Sequence, residues 1–281
     1  MSEVKLNKTP LFDRIFKPET ITLDNGNSVD RPRSRLPLII ICVLIFAIIS
    51  IKVTGFNLAT IIQRGYQLPV ILAQLFTPNW SYAPRIVQPL IETIQMTILG
   101  TVLGCAVGLP MAILGSANIN KNKPSLLICR FILSVMRSIP TLVYASIFAL
   151  LFSLGAFAGM MALAFFTLGI VAKMLYESIE TIDMGPFEAM QSFGANTLQA
   201  FWTACMPQIL PTYLDDCLYC FEMNIRASSI LGYVGAGGLG ILIRERISLR
   251  AYNDLGALLI ILFLVVWAID LLGNYIRSKI S

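Results

Sequence analysis

The chain has 281 residues and a formal net charge of +5, with 56% hydrophobic and only 13% charged residues; its mean hydropathy is +0.75. That balance is too apolar and charge-poor for a water-soluble domain, so the bilayer is the solvent to reason with. The small basic excess suits loops at a lipid surface rather than nucleic-acid binding, and the lack of histidine removes the commonest general base and metal ligand.

Residues 1–35 are polar and mixed in charge, with no short apolar core followed by a small-residue cleavage site. They read as a cytoplasmic N-terminal segment, not a signal peptide. Six apolar stretches follow, at 36–54, 87–117, 126–154, 157–180, 205–234 and 254–277, each long enough for the ~20 helical residues that cross ~30 Å of hydrocarbon. The expected fold is therefore an all-α, polytopic helical bundle of about six transmembrane helices, with 36–86 holding the first span and an external connection. Placing the N-terminus inside puts Lys121, Lys123, Arg277 and Lys279 with the basic N-terminal residues on the cytoplasmic side, as the positive-inside rule prefers.

The second span carries Gly100, Gly104 and Gly108, a doubled G-x-x-x-G that lets another helix approach closely, in this chain or in a second copy. The third carries Arg130, Ser134, Arg137, Thr141 and Tyr144 at helical spacing, with Ser138 beside Arg137 and Pro140 set to bend the helix. The fourth ends with Lys173, Glu177 and Glu180. In the fifth, Asp215, Tyr219, Glu222, Arg226 and Ser229 share one face. A charge at the middle of a membrane helix costs at least ~2.5 to 3.5 kcal/mol, so such stripes face protein or water. Two readings stay open and can coexist. Glu222 with Arg226, and Lys173 with Glu177, are i, i+4 pairs in the favourable order; alternatively Arg137, Ser138, Thr141, Tyr144, Glu222, Arg226 and Ser229 line a substrate path.

Between the fourth and fifth spans, residues 183–200 are polar enough for a cytoplasmic connection. They read as a short helix, a turn at Gly194 and a second helix re-entering the membrane near Pro207.

After the fifth span, Gly235, Gly237 and Gly240 spell G-x-G-x-x-G, and Asp254 follows at the distance of a ribose-binding acid. A dinucleotide fold needs flanking strands, and a span at each end leaves no room for them. With Gly238, these glycines at a span end allow tight turns and close backbone approach. No phosphate-binding loop of the G-x-x-x-x-G-K-[ST] type occurs. Cys217 and Cys220 form C-x-x-C, but without histidine or a second pair the chain offers no metal site.

A resemblance rests on three blocks, "RSIPTLVYASIFALLFSLGAFAGMMALAF", "YESIETIDMGPFEAMQSFGA" and "YCFEMNIRASSILGYVGAGGLG". Residues Glu188, Ala189, Met190, Gly194 and Pro207 resemble the coupling motif of type I ABC importer permeases. Met190, Ala204 and Met206 depart from its alanine, isoleucine and leucine while staying apolar. From Gln88 to Ser278 the chain is similar to phosphonate ABC transporter permeases, the PhnE family; by that resemblance Gly235, Gly237, Gly238 and Gly240 are expected to form a compact loop or re-entrant turn near the outer mouth, serving as a gate or binding-protein contact. The resemblance implies that 87–278 form the transporting domain of a multi-pass bacterial inner-membrane subunit, with Glu188, Ala189, Met190, Gly194 and Pro207 coupling it to an ATPase. It implies no cofactor in this chain and no catalysis by it. The partners it implies are a second copy (a homodimer), cytoplasmic ABC ATPase subunits that bind ATP and Mg, an extracytoplasmic phosphonate-binding protein and membrane lipid. Within that frame Arg137 and Arg226 are expected to meet the anion. Two rivals are a secondary transporter, for which Glu92, Asp215, Glu222 and Asp270 supply ionisable groups, and a membrane enzyme, for which no catalytic constellation is found.

Overall fold

The computed structural model describes residues 19–22, 26, 28–31 and 36–280, in two units, Met1–Leu68 and Pro69–Ser281. In the first, β1 (Glu19–Thr22) and β2 (Ser28–Arg31) pair as an antiparallel hairpin. This hairpin departs from the all-α expectation; in the connection between Thr22 and Ser28, Gly26 has φ +80°, a conformation glycine takes readily. Otherwise the cytoplasmic segment expected over 1–35 lies outside the described residues.

Helix α1 (Leu36–Thr54) coincides with the first expected span. It is free of charge through Ile51 and exposed at almost every described position, the pattern of a helix bathed in lipid. The connection after it is helical, which composition did not signal. Asn57 caps α2 (Leu58–Arg64) by accepting the Ala59 N–H at 3.0 Å, and α3 (Gln67–Leu75) carries the chain into the second unit.

The second unit contains α4 (Ala83–Gly115), α5 (Lys123–Ser138), α6 (Thr141–Phe152), α7 (Ala156–Thr181), α8 (Gly185–Ser192), α9 (Thr197–Ala200), α10 (Met206–Leu231), α11 (Leu239–Ser248) and α12 (Tyr252–Ile280). Prolines in the first turn open α4, α5, α8 and α10, where the missing N–H costs nothing and φ is already helical. Helices α4, α7 and α12 are each long and apolar enough to span a membrane; the other three candidate spans are bent pairs, α1 with α2, α5 with α6, and α9–α10 with α11. The expected six is reached when each bent pair counts as one span, and the third differs in kind. Helices α5 and α6 meet at 92°, because Pro140 cannot continue α5 and starts α6 instead.

Packing follows the small residues. A Cβ on Gly100 would stand 2.8 Å from Leu163 Cβ, and one on Gly104 would stand 2.5 Å from Thr167 Cβ. The partner of the glycine seam is therefore α7 of the same chain. Two buried clusters frame the two ends of this unit. One gathers Leu133, Leu175, Ile179, Phe187, Phe201, Cys205 and Ile209 around the 183–200 connection; the other gathers Met96, Tyr144, Phe148, Leu163, Leu231 and Ala236 around the glycine stretch.

Candidate functional site

At the end of the first cluster, the chain leaves α7 at Thr181 and turns at Asp183, whose Oδ1 accepts the Gly185 N–H at 2.9 Å. This starts α8. Phe187 is 4% exposed and anchors α8 in that cluster, while Met190 packs against it from its edge. Glu188 and Ala189 face out, with Glu188 in the first turn, where the helix dipole favours a carboxylate. Gly194 takes φ +88°, with no atom within 4 Å of a Cβ placed there; its role is the left-handed backbone of the turn and not close packing. Beside it Phe193 is 88% exposed.

Asn196 then caps α9 in a full capping box with Gln199. A π-helical turn, Phe201–Cys205, leads into α10, where Pro207 stands in the first turn. Short helix, glycine turn and re-entrant helix are arranged as the sequence suggested. The π turn had no sequence signal, and it places Phe201, with no exposed surface, directly against the cluster that holds Phe187.

At the other end, Gly232–Val234 form a 3-10 turn and α11 begins at Leu239. Residues Ala236 to Gly240 are buried, so the stretch is a packed re-entrant turn and not an open loop. Thr93 of α4 pins it: its hydroxyl donates to the Pro89 carbonyl at 2.7 Å and accepts the Leu239 N–H at 2.8 Å. Gly238 has φ +68°, and a Cβ there would collide with that hydroxyl. Gly240 crosses directly over Gly232, backbone on backbone. Gly235 lies on Leu154, and Gly237 on Ala156.

The polar stripes divide. On α5 and α6 the right-angle break removes the continuous face assumed for Arg130 to Tyr144. Arg130 ties helix ends together, with Nε donating to the Gly115 carbonyl at 2.8 Å, an ion pair to Glu180, and its guanidinium 4.7 Å from the Tyr176 ring centroid. Arg137 and Ser138 are exposed, and the Arg137 stem lies on Gly169. Thr141 is half-buried, whereas Tyr144 is buried in the cluster around the glycine stretch and donates to the Met136 carbonyl at 2.9 Å.

On α10, Glu222 does not pair with the Arg226 side chain as the i, i+4 spacing suggested. Arg226 Nε donates to the Glu222 carbonyl at 3.3 Å, leaving the rest of an exposed guanidinium without a partner among the described residues. The Glu222 carboxylate lies 3.2 Å from Arg277 of α12, which also pairs with Asp215. Ser229 donates to the Arg226 carbonyl. Lys173 and Glu177 do pair.

Sequence reasoning missed one polar group. Asn224 is fully buried, and its Nδ2 donates to Thr101 Oγ1 at 2.8 Å and Thr167 Oγ1 at 2.6 Å. This joins α4, α7 and α10. An asparagine inside an apolar span was the available signal, since a buried amide needs partners.

The family described as binding-protein-dependent transport system inner membrane component matches residues 104–280. The chain is 35% identical over 189 residues to the phosphate-import permease protein PhnE of Mycolicibacterium smegmatis, covering 67% of this chain but 36% of that protein. It is 30% identical over 221 residues to the phosphite transport system permease protein PtxC of Stutzerimonas stutzeri, covering 78% of this chain and 80% of that one. Among solved structures, the inward-facing MetNI methionine ABC transporter matches with TM-score 0.64 at 22% identity, over 72% of this chain and 99% of that one. An amino acid ABC transporter matches with TM-score 0.59 at 24% identity, over 71% and 95%.

Proposed function

The chain belongs to the binding-protein-dependent transport system inner membrane component family, and from that premise we propose that it imports phosphonate or a related phosphorus oxyanion. It acts as the permease of a complex in which a separate cytoplasmic ATPase binds ATP and Mg. A second copy of the chain completes the pathway, and an extracytoplasmic binding protein delivers the ligand. The names of the relatives, phosphate-import and phosphite transport permeases, support the cargo class.

The observation that carries the coupling role is the form of the 183–200 connection. Its outer surface offers Glu188, Ala189 and Phe193 to a partner, while Phe187 on its inner surface and Phe201 just after it pack with residues of α5, α7 and α10. A push on α8 is thereby delivered to α10 and not absorbed by a slack loop. At the other end, the pinned turn Gly235 to Gly240 closes the outer mouth, and motion of α10 must repack it. Arg226 and Arg137 are exposed guanidiniums with charge and forked donors suited to a tetrahedral oxyanion. Glu222, held by Arg277, leaves Arg226 free to attract the anion.

The test is ATP hydrolysis by the complex purified through this chain in mild detergent. Hydrolysis that depends on an intact Glu188 to Gly194 segment supports the reading. A stable preparation without hydrolysis overturns the coupling role and shifts weight to a secondary transporter.

A further inference from the structure

A cavity of about 600 Å3 opens beside α7, α10 and α12, walled by Asp215, Asp216, Tyr219 and Arg277, with Met174 and Met223 on its apolar side. Asp216 is 5% exposed, and its Oδ2 is buried without a hydrogen-bond partner. A buried carboxylate costs several kcal/mol unless a counter-charge or a proton meets it. The guanidinium in the wall is already committed, with Nε on Asp215 at 2.6 Å and Nη2 3.2 Å from Glu222. Two carboxylates against one arginine leave that trio negative, and no ion pair among the described residues reaches Asp216.

The chemistry of the wall selects the occupant. No group of three or more histidine, cysteine, aspartate or glutamate side chains among the described residues is arranged to hold a metal ion, so a divalent or transition ion lacks its ligand set. Asp216 adds its charge to that trio, and a monovalent ion meets this one carboxylate, which has no ion pair of its own among the described residues, without the ligand set a divalent ion needs. Hard cations take oxygen ligands, and the same wall supplies the Tyr219 phenol, with room for water. We propose that Asp216 holds a monovalent alkali cation in this cavity. A bound cation also screens Asp215, Asp216 and Glu222 from an arriving anion. That consequence rests on the proposed oxyanion cargo; the binding itself does not.

The experiment measures binding of radiolabelled Na+ and Rb+ to the complex purified through the full chain, at constant ionic strength set with choline. Saturable binding displaced by unlabelled alkali cation but not by choline is expected. It should be about tenfold or more weaker in Asp216→Asn, the loss of one charged ligand, and retained in Asp216→Glu. If Asp216→Asn does not assemble, Tyr219→Phe decides: weaker binding supports the site, and unchanged binding overturns it. Absence of displaceable binding in the wild type, or equal binding in an assembled Asp216→Asn, overturns it too. So does an infrared carboxylic-acid band at neutral pH that vanishes in Asp216→Asn, because the occupant is then a proton. Cation binding without oxyanion uptake counts against the cargo assignment alone.

Discussion

Arg277 Nε donates to Asp215 Oδ1 at 2.6 Å, fastening the last helix to α10. The same guanidinium faces Glu222, whose side chain is only 9% exposed. Replacing Arg277 with alanine strands that buried carboxylate. Breaking a fully buried pair costs ~3 to 5 kcal/mol, and partial exposure of Arg277 brings the expected loss to about 2 to 3 kcal/mol. Denaturant unfolding of the purified protein measures it. Adding Glu222→Gln to Arg277→Ala should recover a large part of the loss, because the stranded charge is then gone.

Arg226 stands in contrast. Among the described residues its side chain makes one hydrogen bond, the 3.3 Å contact to a backbone carbonyl, so Arg226→Ala should change stability by no more than ~0.5 kcal/mol. Uptake of the oxyanion should fall while the complex elutes and hydrolyses ATP as before. Loss of the complex would assign Arg226 a structural role.

Gly194 pairs a left-handed backbone with open space. Gly194→Ala therefore meets no steric obstacle beyond a backbone cost of about 1 to 2 kcal/mol, and a bulky β-branched residue costs more. The strain falls on the turn between α8 and α9, so ATPase retention during purification should drop before global unfolding shifts. Phe193→Ala should weaken retention without altering stability, since Phe193 is 88% exposed. Normal ATP-driven uptake in a Gly194→Val variant would remove the coupling assignment.

At the outer turn, Gly232→Ala or Gly240→Ala forces two backbones apart. Overpacking of this kind costs about 1 to 3 kcal/mol. Gly155→Ala, where nothing lies within 4 Å of the added carbon, controls for space but still meets backbone strain at φ +149°. Paired thermal unfolding curves should show the crossing variants shifted further than would follow from loss of a flexible glycine alone. An unshifted Gly232→Ala would mean the turn is not packed as described.

Much of this architecture was legible because lipid imposes a simple rule on backbone and charge. The charge-free run at Leu36 to Ile51 announced α1, and the spacing of Glu188, Gly194 and Pro207 announced the helix, turn and helix between α7 and α10. What was not legible depended on long-range choices. Helical spacing offered Arg226 to Glu222, yet Arg277, 55 positions further along, is what lies opposite. Pro140 signalled a bend, but its 92° angle accompanies a phenol bond from Tyr144 to Met136 and the burial of Phe148. Asn224 passed unnoticed because Thr101 and Thr167, the hydroxyls that satisfy it, read as ordinary span residues.

The glycine seam also constrains how the molecule can move. Gly100 and Gly104 let α7 touch the backbone of α4, and Asn224 stitches α10 to both through two threonines. Sliding of α4 over α7 would drive Leu163 and Thr167 into peptide groups, so the two helices must travel as one rigid body. In the proposed import cycle the hinges must therefore lie elsewhere. The chain breaks at the two ends of α6, at the Ile139–Pro140 corner and the Ser153 to Gly155 link, where Ser153 has φ +72°. Helix α6 is thereby the element set off by breaks on both sides, between the α4–α7 pair and the glycine turn.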